Sequence, residues 1–179
     1  MKRYHLLLLA FVTWAMASCK SAPEREWVSV SVDEGVSVWF PAQPRQTEST
    51  DSSAYGPYPK QEYAYLPPEG DDENLVYQLS ATTMPVSYTY HATPPQTYDS
   101  FVGQEVALLG GRLVSQKTIT QSGVTGREAL IDFRGGAYRV KCRLFIRGRT
   151  IYNIGVATKK ESLFNVAINK FLDSLAFLP

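Results

Sequence analysis

Cysteine and histidine are the scarce residues of this chain: two of each in 179 positions, Cys19, Cys142, His5 and His91. With so few, a cysteine–histidine zinc site and a disulfide framework are excluded as organising principles. Cys142 is expected to be a buried, inert thiol. A hydrolytic triad needs a base beside its nucleophile, and no Gly-x-Ser-x-Gly elbow occurs; His91 lies in an aromatic, proline-rich connection where a surface or hydrogen-bonding role is expected. An excess of one charge sign is also missing. Eighteen Lys and Arg face seventeen Asp and Glu. No nucleic-acid partner is expected at that balance. No cofactor is expected either: Gly103 and Gly110-Gly111 match neither the dinucleotide fingerprint nor the phosphate loop. The acidic run Asp71-Asp72-Glu73 lacks the alternating ligands of a calcium loop and reads as a solvated turn.

Past the first segment, no apolar run approaches the roughly 20 residues of a transmembrane helix. That first segment has a basic head, Met1 to His5, and an apolar stretch from Leu6 to Ala15, the pattern of an export signal. Met16-Ala17-Ser18-Cys19 resembles the lipobox of bacterial lipoproteins. The resemblance implies that residues 1–18 are removed, that Cys19 is lipidated, and that residues 19–26 tether one domain spanning 27–179. The alternative is a plain signal peptide cut near Ser18. Without Lys2 and Arg3 the balance becomes 16 basic against 17 acidic residues. The expected location is the cell envelope, with the body outside the cytoplasm and anchored to a membrane through lipid.

What the chain has in quantity is strand pattern. Val28, Val30 and Val32 alternate with polar residues, then Asp33-Glu34-Gly35 turns the chain into Val36, Val38 and Phe40. Ala42 to Pro59, rich in Pro, Ser, Thr and Gln, reads as a long loop. Gln61–Leu66 and Leu75–Thr83 read as strands. A helix is expected from about Pro95 to Leu109, with Phe101, Val102, Leu108 and Leu109 toward the sheet and Gly110-Gly111 as its stop. Arg112–Gln121 resumes strand character.

The longest β pattern is Val124 to Ala157. If Gly135-Gly136 closes a tight hairpin, Phe133 faces Tyr138, Ile131 faces Val140 and Ala129 faces Cys142, all on one apolar face. On the other face Asp132 meets Arg139 and Glu128 meets Arg143, opposite charges that fix the register as structural ion pairs. A second turn at Arg147-Gly148 sets Leu144 opposite Ile151 and Arg143 opposite Tyr152. Thr158-Lys159-Lys160-Glu161 reads as a capping box opening a last helix, whose stripe runs from Leu163 and Phe164 to Phe171 and Leu175. Helices on both faces of one sheet make the expected class α+β.

Several short segments also resemble bacterial domains of the PsbP/Mog1/DcrB type: Val38-Trp39-Phe40-Pro41, Gly126-Arg127-Glu128, Arg143 with Gly148-Arg149-Thr150-Ile151-Tyr152, and Phe171-Leu172-Asp173-Ser174-Leu175. The resemblance covers most of Val36 to Leu178. It implies an antiparallel sheet flanked by helices on both faces, an α/β/α sandwich, and no shared catalytic residues. The expected role is therefore a non-catalytic binding or assembly module with a protein partner, its contact surface drawn from Tyr55, Tyr58, Tyr88, Tyr90 and His91. A small-ligand or lipid carrier is the alternative, and a hydrolase a more distant one.

Overall fold

A computed structural model describes residues 26–89 and 94–178. The export segment, Cys19, Tyr90 and His91 lie outside these residues.

Among the described residues ten strands and three α-helices follow in order: β1 (Val28–Asp33), β2 (Val36–Phe40), β3 (Arg45–Ser53), β4 (Gly56–Tyr65), β5 (Asn74–Thr83), α1 (Val86–Thr89), α2 (Pro94–Leu108), β6 (Arg112–Gln121), β7 (Val124–Phe133), β8 (Tyr138–Arg147), β9 (Thr150–Lys159), α3 (Val166–Asp173) and β10 (Ala176–Phe177). Seven strands form one antiparallel sheet in the order β3-β4-β5-β9-β8-β7-β6, and β1-β2-β10 form a second.

The helix-flanked α/β/α sandwich is thereby corrected. The protein is mostly β, because one face of the large sheet is covered by the small sheet together with the short helix α3. Val36, Val38 and Phe40 of β2 and Phe177 of β10 share a core with Tyr77, Leu79, Phe145, Ile154, Ile168 and Phe171. Phe171 packs its ring against Phe40 at 4.9 Å and Tyr77 at 5.3 Å between centroids. The opposite face is covered chiefly by α2, through Tyr98 and Val102 against Ala129, Ile131, Cys142 and Leu144, with Met84 and Tyr88 of the segment before it in the same cluster. Burial pushes the Cys142 thiol up to about 12.

Three local expectations change. The stretch from Ala42 to Pro59 is no loop: Arg45 to Ser53 pairs residue for residue with Gly56 to Ala64. All nine residues of β3 are exposed. With neither face buried the strand shows no alternation, and backbone pairing alone defines it. The expected capping box fails because β9 continues through it, Thr158 pairing with Arg139 and Asn74. The helix starts later, where the Asn165 side chain accepts a hydrogen bond from the Ile168 N–H. This leaves Phe164 exposed instead of in the core. Leu108 likewise points outward, and the inward stripe is Tyr98 and Val102 with, partly buried, Phe101, Val106 and Leu109 just past the helix end.

In the β7–β8 hairpin, Phe133 pairs with Tyr138, Ala129 with Cys142 and Glu128 with Arg143, the connection being a short 3₁₀ turn beginning at Arg134. The β8–β9 turn is Gly148-Arg149, so Arg147 meets Thr150 and Arg143 meets Ile154. The register differs by two residues from the expected one, which preserves the faces.

Gly126 marks the tightest point of this framework. A Cβ there would stand 2.5 Å from the Leu144 carbonyl oxygen and 2.5 Å from the Phe145 ring. Gly126→Ala is expected to destabilise the fold by about 1–3 kcal/mol through overpacking. Urea denaturation of the purified domain measures this, with Gly103→Ala, where nothing crowds the new methyl, as the control.

Candidate functional site

On the α3 face, charge is consumed in building. The Arg143 Nε donates to Glu128 at 2.8 Å, and its Nη1 donates to Gln121 at 2.9 Å and to Asp173 at 2.6 Å. Gln121 in turn donates to the carbonyls of Leu172 and Leu175, satisfying the end of α3. Glu128 also meets Lys117 at 3.1 Å. Asp132 accepts from Arg139 at 2.6 Å and from Arg112 at 3.3 Å. Burial acts to raise the Glu128 carboxyl, but hydrogen bonds from Arg143 and Lys117 and the charge of Lys141 hold it below the usual range. For Asp132 the Arg139 hydrogen bond dominates, outweighs burial and lowers it.

The α2 face is different. The helix packs on β7, β8 and part of β9 and leaves a gap between itself and β4–β5. The result is a cleft of about 430 Å³ lined by Tyr58, Lys60, Ser80, Thr82, Phe101, Glu105 and Asn153, among others. A narrower hollow of about 190 Å³ shares Lys60, Ser80, Glu105 and Asn153 and extends over Gly155 and Ala157 to Cys142. Lys60 pairs with Glu62 at 2.6 Å. Glu105 has no such cation within 4 Å among the described residues; its Oε1 accepts from the Asn153 Nδ2 at 2.9 Å. The Asn153 Oδ1 is buried and has no hydrogen-bond partner among the described residues. Burial pushes the Glu105 carboxyl above its ordinary range, against the lowering effects of Lys60 and Asn153.

A desolvated carboxylate and an orphaned carbonyl side by side are costly. Both accept hydrogen bonds, so the arrangement suits a group rich in donors. Such perturbed groups in a cleft mark a functional-site candidate. Nothing in the sequence singles out Glu105, a polar position on a helix, or Asn153, one position in a strand.

The tyrosines expected to face a partner are divided. Tyr55, at the tip of the β3–β4 hairpin, packs edge-on against Tyr88 of α1 at 5.3 Å, and the Ser87 hydroxyl donates to the Tyr55 carbonyl at 2.9 Å. The pair pins the hairpin tip. Tyr58 lines the cleft. In the acidic run, Asp72 accepts from the Asn74 backbone at 2.9 Å and from the Tyr77 hydroxyl at 2.9 Å, which gives it a structural task.

No family model and no curated protein matches the chain. Among solved structures it is similar to cyanobacterial PsbP (CyanoP) from Synechocystis sp. PCC 6803, with a TM-score of 0.52 at 10% identity, covering 91% of this chain and 99% of that one. It also aligns with PA94, a protein of unknown function from Pseudomonas aeruginosa, with a TM-score of 0.40 at 11% identity over 77% and 86% of the two chains. The protein therefore has a PsbP-like fold. At this identity the likeness concerns architecture.

The two faces should titrate with opposite signs. Asp132 and Glu128, held low in the folded state, contribute stability that is complete above the ordinary carboxylate range and lost as pH falls through their lowered values. Asp132→Asn and Glu128→Gln are expected to flatten that acid limb. Glu105, held high, withdraws stability as pH rises through the carboxylate range, so Glu105→Gln should raise the urea midpoint at neutral pH and leave it unchanged in acid. A neutral-pH midpoint that falls in Glu105→Gln would contradict the assignment. Arg143→Ala, which leaves Glu128 to Lys117 and Lys141 and removes the donor to Gln121 and Asp173, is expected to cost about 1–3 kcal/mol, read from the same denaturation curves.

Proposed function

We propose that the protein is a membrane-tethered lipoprotein acting as a non-catalytic binding module at the bacterial cell envelope, and that it takes its partner in the cleft beside α2. The carrying observation is the Glu105–Asn153 pair. It leaves a desolvated carboxylate and an unpaired carbonyl beside an open hollow, an arrangement that lowers stability and is compensated by a bound donor. The non-catalytic reading is supported by the engagement of Glu128 and Asp132 with arginines, which leaves that carboxylate pair occupied in the sheet. The anchor reading is supported by the lipobox-like residues ending in Cys19.

A protein segment is the favoured partner, since the cleft is open along the sheet and Phe101 and Tyr58 offer ring surface at its mouth. Its volume also falls within the range of small-ligand sites, which supports a second reading as a carrier of a small polar molecule.

A photo-crosslinking residue placed at Phe101 in the membrane-bound protein is expected to capture one discrete partner, with yield reduced several-fold by Glu105→Gln. Capture of nothing specific, while a polar metabolite co-purifies with the protein, would favour the carrier. For the anchor, Cys19→Ala should move the protein from the membrane to the soluble fraction, and unchanged fractionation would refute lipidation.

A further inference from the structure

Single exposed apolar side chains are ordinary at a protein surface, but two on one short ordered turn form a patch. Phe164 is 89% exposed and Val166 80% exposed, on the turn entering α3. The turn itself is firmly fixed. Leu163 and Ile168 on either side are buried, and the Asn165 amide donates to the Ser162 carbonyl at 2.9 Å and to the Asn74 side chain at 2.9 Å. The two apolar groups are therefore displayed by a rigid frame.

The same place is where the chain enters the domain. Trp27, the residue before β1, is half-buried against Tyr77, lies under the Lys170 ammonium, 4.7 Å from its ring centroid, and shares a surface hollow with Asn165 and Ala167. We propose that the turn carrying Phe164 and Val166, together with Trp27, is the face that the domain lays against the lipid surface holding its anchor. This rests on the lipoprotein reading above. Residues 19–26 span at most roughly 28 Å when fully extended, so a tether from Cys19 delivers this face to the membrane first. The opposite side of the large sheet reaches it only if the tether doubles back around the domain.

The chemistry fits an interface. Tryptophan and phenylalanine settle at the headgroup boundary, and lysines beside them pair with anionic lipid. Lys159, Lys160 and Lys170 are exposed around the turn. Asp71, Asp72 and Glu73 line the same hollow as Trp27 and Asn165, and Glu161 is exposed on the turn, so the contact rests on the apolar groups and the tether, with the lysines offsetting these acids.

The test uses the lipidated full-length protein in vesicles of phosphatidylcholine with a minority of phosphatidylglycerol and a quencher lipid. One environment-sensitive fluorophore is attached at Glu161→Cys, beside the turn, or at Leu108→Cys, which is 82% exposed on α2 across the sheet. The buried Cys142 stays unlabelled. Quenching at position 161 is expected to exceed that at 108 several-fold, and Phe164→Ser with Val166→Ser should bring it down to the level at 108. Equal quenching at both positions in protein that remains vesicle-bound overturns the orientation and leaves the anchor intact. A chain whose mass shows no acyl groups overturns the anchor and this inference with it.

Discussion

The guanidinium of Arg143 is the interaction on which the architecture turns. From one position on β8 it holds Glu128 of β7, Gln121 at the end of β6 and Asp173 at the end of α3. The half of the large sheet that ends in β6 is thereby locked to the element that covers it. Gln121 passes the constraint on by occupying the last carbonyls of the helix. An ion pair in such a position contributes little net energy against an apolar pair of the same shape, but leaving one partner alone is severe. Its value lies in excluding other registers. A slip of one residue in β7 would turn Glu128 toward α2 and Ala129 toward the arginine.

That arrangement explains which parts of the fold were legible. Where both faces of a strand are occupied by contrasting residues, as in β7 and β8, apolar alternation and charge complementarity name the same register. Where a strand has no buried face, as in β3, there is nothing to read, and a polar stretch is indistinguishable from a loop. The last helix misleads for a related reason. Its apolar stripe is genuine, but Leu163 belongs to the approach and Phe164 to the surface, and the start is decided by the Asn165 side chain and by how far β9 runs. The sandwich failed because β1 and β2 read correctly as a hairpin without any indication that β10, two residues long, would join them into a covering sheet.

The candidate site was almost invisible in the sequence, and the reason is geometric. Glu105 is on a helix and Asn153 on a strand 48 positions later. Lys60 and Ser80 come from two further strands. No spacing rule connects four such residues. Only the topology does, by setting α2 over one part of the sheet and leaving a gap between it and β4–β5. Arginines and acids are used structurally on one face, while an unremarkable glutamate on the other has an amide but no cation within salt-bridge distance among the described residues.

The strand order carries a further consequence, for the timing of folding. β3, β4 and β5 form one meander of near neighbours, and β6 to β9 form another. Among the described strands only the β5–β9 pairing joins them, across everything from α1 to β8. Closing that seam bears the loop entropy of the large sheet, so two locally folded ribbons are expected to precede a slower zipping together. The cleft straddles this junction, with Ser80 and Thr82 on one ribbon and Asn153 on the other. A molecule bound there would act as a clasp, slowing the separation of the two ribbons as well as occupying the space between them.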